Sequence, residues 1–171
     1  MKIRGETPSD FVPIESLLQH AFGGTYEAVL VRRLRSDALV AVARVAEDEE
    51  EIVGQIVLSW LPTRIDGRPV RAVALAPMAV RPERQRRGIG TALVRHALQT
   101  AALAGAHAAI VLGHPTYYPR FGFSAALAAK IASPFPGSSF MALELKPGAL
   151  SGSTGSVLYP DAFGIEDAIP R

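Results

Sequence analysis

Apolar positions in the first third of the chain recur every three or four residues. Phe11, Ile14, Leu17, Leu18 and Phe22 share one helical face, and Thr7-Pro8-Ser9-Asp10 before them is suited to start a helix. Gly23-Gly24-Thr25 interrupts it. A second helix follows, with Val29, Leu30 and Leu34 on one side and Arg32, Arg33 and Arg35 on the other. Residues 1–5 read as a short strand ahead of both. From Leu39 the period drops to two, which predicts a strand to Val45 and a returning strand from Ile52 to Leu61. The acids between them, Glu47-Asp48-Glu49-Glu50-Glu51, read as a solvated hairpin tip, since nothing else marks a cation cage. Asp66-Gly67 signals the next hairpin, and Val70–Val80 a long strand. Pro77 cannot donate to a ladder, so this strand must bulge or lose its neighbour there.

Gly88 to Ala104 predicts a helix with Leu93, Ala97 and Leu98 on its apolar stripe, ended by Gly105. Ala108–Leu112 is an apolar strand after a helical crossover, hence parallel to the strand before that helix. A turn of helix at Tyr117–Phe121 and strands near Ala125–Ile131 and Phe140–Leu145 follow. The Gly/Ser-rich stretch 148–156 reads as a flexible surface loop, and Val157–Tyr159 with Ala162-Phe163 as a tail that packs back. With no internal repeat, one domain is expected over 1–171: a core of 1–146 and a C-terminal extension of 147–171.

Composition narrows the chemistry. Of 171 residues about half are hydrophobic and a fifth charged, a globular mix. No cysteine is present, which excludes disulfides, thiolate metal sites and a cysteine nucleophile; four scattered histidines give no zinc pattern, so no metal is expected. The N-terminus lacks an apolar signal core, and no apolar run approaches the roughly 18 residues of a membrane span. A cytoplasmic protein without a membrane partner is the expectation. Net charge is only +2, which argues against a general nucleic-acid binder. Yet Arg81, Arg84, Arg86 and Arg87 crowd one loop.

That loop carries the chemistry. In Arg81-Pro82-Glu83-Arg84-Gln85-Arg86-Arg87-Gly88-Ile89-Gly90-Thr91 a strand ends, basic residues follow and two glycines open a helix. Helix N-termini expose unpaired N–H groups at a positive dipole end, so a pyrophosphate fits there, with all four arginines available to it. A P-loop would need a lysine where Thr91 stands, and a dinucleotide fingerprint a glycine where Leu93 stands.

Gln85-Arg86-Arg87-Gly88-Ile89-Gly90, with Met78-Ala79-Val80 upstream and Tyr118-Pro119-Arg120-Phe121-Gly122-Phe123 downstream, resembles the GNAT superfamily of N-acetyltransferases. The likeness covers roughly 1–146. His114-Pro115 and Tyr117-Tyr118 with the extended tail are similar to its YhbS-like bacterial branch. The resemblance implies an α/β (α+β) acyl-CoA N-acyltransferase fold: a mixed sheet of six or seven strands, splayed at the cofactor site and flanked by four helices. It also implies acetyl-CoA as co-substrate. Pantetheine would pair with backbone at Met78, Ala79 and Val80, and the pyrophosphate with Gln85, Arg86, Arg87, Gly88, Ile89, Gly90 and Thr91.

Acyl transfer to an amine needs an unprotonated amine, a stabilised oxyanion and a proton for the departing sulfur. Backbone N–H groups near Met78 suit the oxyanion. Tyr118 matches the family's general acid, with Tyr117 as the alternative. No acid lies on Ala72–Ala79, so the base stays open among Glu27, His20, His114 and Glu144. Phe121, Phe123 and Trp60 read as packing; Phe22, Tyr26 and Glu27 as acceptor-side candidates. The acceptor is a primary amine of a small molecule or protein. A catalytically silent acyl-CoA sensor is the alternative, and oligomeric state is open, a homodimer being common in the family.

Overall fold

The computed structural model describes residues 1–165. Its elements run β1 (Lys2–Gly5), α1 (Phe11–Phe22), α2 (Tyr26–Ser36), β2 (Val40–Asp48), β3 (Glu51–Ile65), β4 (Arg68–Val80), α3 (Ile89–Leu103), β5 (Ala108–Leu112), α4 (Ala125–Ala128), β6 (Ile131–Ala132), β7 (Phe140–Glu144) and β8 (Gly155–Val157). The strands form an eight-stranded mixed sheet in the order β1-β2-β3-β4-β5-β7, with β8 against β3 and β6. Six or seven strands were expected; the mixed architecture and the four α-helices are as the motif implied. The chain forms two compact units, Met1–Ser59 with Ala76–Thr100, and Trp60–Leu75 with the described residues from Ala101 onward.

In the first unit the predicted helical stripes are the buried ones. α1 buries Ile14, Leu17 and Leu18, and α2 buries Ala28, Leu30, Val31 and Leu34. β1 and β2 pair antiparallel, as do β2 and β3, with Val45 opposite Gln55. α3 turns Ile89, Leu93 and Ala97 inward. A Cβ at Gly54 would come within 2.9 Å of Leu93 Cδ1 and 3.2 Å of Ile89 Cγ2. The bare glycine on β3 therefore lets α3 settle onto the strand, which sets the height of that helix's N-terminus.

In the second unit β4 pairs parallel with β5 from Ala72↔Ala108 to Leu75↔Val111. β5, with Ala108–Val111 fully buried, pairs antiparallel with β7. The ladder on β5 stops at Leu75, although β4 itself continues to Val80. The donor-free Pro77 lies just past that stop, in line with the expectation that the strand loses a neighbour there.

Two expectations fail here. Residues 125–131 are not one strand: Ser124 Oγ accepts from Leu127 N at 3.1 Å and caps α4, so an alanine-rich run with a good cap takes helix first. Nor is 148–156 loose. Asp66 accepts from Ser153 N and Thr154 N at 3.0–3.1 Å, Arg68 and Lys130 donate to the Ser151 and Gly152 carbonyls, and β8 then pairs with β3 and β6. The tail does pack back, with Ala162 and Phe163 buried. Residues 166–171 of the expected extension lie outside the described residues.

Candidate functional site

β4 ends at Val80, and the chain there is held tightly. Arg81 N donates to Val53 O at 2.9 Å and Arg81 Nε to Ile52 O at 3.1 Å, while Gln85 Nε2 reaches back to Val80 O at 3.2 Å. A 3-10 turn, Pro82–Arg84, lies between. Two residues then enter the left-handed region, Arg86 at φ 62° and Gly88 at φ 82°. Left-handed residues alternating with ordinary ones turn successive N–H groups to one side, a concavity that suits an anion. α3 follows at once; its first bond runs from Ala92 N to Gly88 O at 3.0 Å, and no carboxylate stands in its first turn. A Cβ at Gly88 would meet nothing within 4 Å, so conformation, not crowding, demands glycine there.

The four arginines, all expected to be available to the phosphates, differ in their protein partners. Arg84 Nη1 lies 2.6 Å from Asp48 and its Nη2 4.0 Å from Glu51. Arg81 pairs with Glu51 at 3.1 Å and Glu83 at 3.6 Å. The acidic run read as merely solvated is therefore an ion-pair partner. Arg86 and Arg87 are exposed and have no ion pair or hydrogen bond among the described residues.

The two tyrosines are distinguished by burial. Tyr118 opens a 3-10 turn, Tyr118–Phe121, with only 8% exposure. Tyr117, Phe123 and Phe121 stand at ring-centroid distances of 5.1, 5.8 and 6.3 Å. A Cβ at Gly113 would overlap the Tyr118 ring, so this glycine is part of the seat. Sequence reasoning missed it; only its place directly after β5 offered a signal. The Tyr118 hydroxyl has no hydrogen-bond partner among the described residues, and burial pushes the phenol up to about 12. Tyr117 is half-buried, with the Arg120 guanidinium 4.3 Å from its ring centroid.

Among the base candidates, Glu144 Oε2 accepts from Leu150 N at 2.9 Å and so caps a turn. His20 Nε2 lies 3.8 Å from Glu83, both well exposed, and His114 is exposed. Glu27 is half-buried beside Tyr26, whose phenol is raised by burial and then by the Glu27 charge. Phe123 is core and Phe121 half-buried; Trp60 stacks under Arg71 at 4.8 Å, as packing. Phe22 and Tyr26 are exposed at the α1–α2 turn. Among the described residues no cluster of His, Asp and Glu could hold a metal, and no helix is long and apolar enough to cross a membrane.

The family model described as an acetyltransferase (GNAT) domain matches residues 2–126. The chain belongs to the GNAT acetyltransferases. This GNAT chain is 35% identical over 166 residues to the uncharacterized N-acetyltransferase YhbS of Escherichia coli K12, covering 95% of this chain and 98% of YhbS. The crystal structure of Escherichia coli YhbS in complex with CoA aligns with a TM-score of 0.86 at 34% identity, over 95% of this chain and 91% of that one. A GNAT acetyltransferase of Brucella melitensis in complex with acetyl-CoA aligns at 0.78 and 32% identity, over 95% and 97%. The likeness to the YhbS branch thus extends through the C-terminal segment, beyond the matched domain.

Proposed function

We propose that this protein transfers the acetyl group of acetyl-CoA to a primary amine of a small molecule or protein, by direct attack on the thioester. The observation that carries the reading is the loop before α3. It has left-handed Arg86 and Gly88, an acid-free helix N-terminus, and two arginines with no ion pair or hydrogen bond among the described residues. The YhbS and Brucella relatives, bound to CoA and acetyl-CoA, support the same cofactor here.

The amine nitrogen adds to the thioester carbonyl, the N–H of Met78 stabilises the oxyanion, and collapse breaks the C–S bond. Tyr118 protonates the departing sulfur as the C–S bond breaks, and the proton that the new ammonium releases to water returns Tyr118 to the neutral phenol. An alkyl amine near 10.4 must be deprotonated, whereas a thiol near 8.5 leaves readily. The amine is therefore the harder half, and no base is assigned. The absence of a carboxylate from Ala72–Ala79 is what favours the second reading, a silent acyl-CoA sensor. Tyr117 is the alternative acid, and one catalytic domain over 1–171 is part of the proposal.

Calorimetric titration of acetyl-CoA tests the cofactor, with Gly90→Asp as control. A carboxylate in the first turn of α3 is tolerated by the helix but repels phosphate, so its Kd should rise at least about tenfold. A folded wild-type protein that binds no acetyl-CoA ends the proposal. Binding without release of free CoA across an amine panel selects the sensor.

A further inference from the structure

The tip of the β2–β3 hairpin is built against its own interest. Asp48 and Glu51 face each other as a cross-strand pair, and like charges directly opposite destabilise a sheet. Between them Glu49 and Glu50 take the left-handed region at φ 50° and 65°, where glycine or asparagine is the usual choice. Nothing in the hairpin alone explains this. The Arg84 guanidinium does: its two Nη atoms lie 2.6 Å from Asp48 and 4.0 Å from Glu51. Arg81 occupies the other Glu51 oxygen at 3.1 Å. The second Asp48 oxygen lies 3.3 Å from the Met1 ammonium, and Glu47 turns away to Arg4 at 2.6 Å.

The same contacts divide the cations of the phosphate loop. With Arg81 and Arg84 neutralised, Arg86 and Arg87 carry the loop's free positive charge, one for each phosphate of a pyrophosphate diester. We propose that Asp48 and Glu51 are positioning residues: they strap Arg84 and Arg81 to the hairpin so that these two shape the loop, and leave Arg86 and Arg87 as the cationic ligands of the cofactor's pyrophosphate. The inference rests on the acetyl-CoA reading and adds to it a division of labour within one arginine cluster.

Salt dependence separates a ligand from a strap, because attraction between an exposed arginine and a bound phosphate is screened more than the part-buried ion pairs of the strap. CoA is titrated by calorimetry from about 0.05 to 0.5 M sodium chloride. Arg86→Gln and Arg87→Gln should each weaken binding about tenfold and flatten its salt dependence. Arg84→Gln and Asp48→Asn should each weaken it about two- to fivefold while keeping the wild-type slope. Their double variant should be no weaker than either single one, and Asp48→Glu should restore affinity. Glu51→Gln gives the same signature through Arg81, should Asp48→Asn fold poorly. A flattened slope in Arg84→Gln makes Arg84 a ligand and overturns the strap, as does unchanged affinity in both Asp48→Asn and Glu51→Gln. A wild-type protein that binds no CoA overturns the cofactor reading and the strap together.

Discussion

In the proposed mechanism burial keeps the Tyr118 phenol protonated, though it also makes it a weaker acid than the thiol near 8.5 that it serves. A phenol pushed up to about 12 keeps its proton throughout the working range, whereas an exposed one would begin to ionise near 10. The sign follows directly: the raised value favours the neutral acid, so activity should not fall through loss of this proton below about pH 10. With an alkyl amine, kcat should therefore climb with pH and level off, without a descending limb. Tyr118→Phe should lower kcat about a hundredfold at every pH while the Kd for acetyl-CoA stays within about twofold. Gly113→Ala, which drives a methyl into the ring, should reproduce the loss by shifting the phenol. Unchanged kcat in Tyr118→Phe removes it from the mechanism, and a descending limb centred near 9 points to another acid. The motif singled out Tyr118, and the structure shows it buried. Its glycine seat was not legible, because a packing partner adjacent in space but not in sequence leaves no pattern.

Arg4, on β1, joins that strand to two other elements. It holds Asp10, in the turn before α1, through bonds of 2.7 and 2.9 Å, and Glu47 on β2 at 2.6 Å. Asp10 is buried and also accepts from Thr7 N at 2.7 Å. The Arg4 guanidinium, first among the causes, holds its carboxyl well below the usual range against the opposing effect of burial. A depressed pKa stabilises the fold above the unfolded value near 3.9, and that contribution is lost as pH falls below it. Asp10→Asn should cost about 2 kcal/mol near neutrality and flatten the decline of stability below about pH 4. Urea midpoints measured against pH check this, and an unchanged acid slope assigns the decline to other carboxylates. The sequence marked Asp10 only as a helix starter; that it is also an ion-pair partner depends on β1 register, which no local pattern states.

Across the whole molecule, what was legible follows from local periodicity and what was not follows from pairing. Ala108–Leu112 was placed to the residue, since a fully apolar strand after a crossover has little freedom. The acidic tip and the basic loop were each visible, and their complementarity was not read. The tail was seen as apolar, but its β8 segment was taken for loose chain. β2 covers one edge of β3 only as far as Ser59; from Thr63 to Ile65 that edge belongs to β8. A chain ended at Lys146 would keep the matched family domain and yet bare the backbone groups that Pro62, Arg64 and Asp66 turn toward β8, and would lose the fully buried Leu150. An uncovered strand edge recruits another strand. Light scattering of that shortened chain should show growth with concentration, where the full chain shows none, and equal scattering would assign the tail a purely local role. On this reading the C-terminal segment is a guard against self-templating, and its loss would show first as stickiness and only later as inactivity.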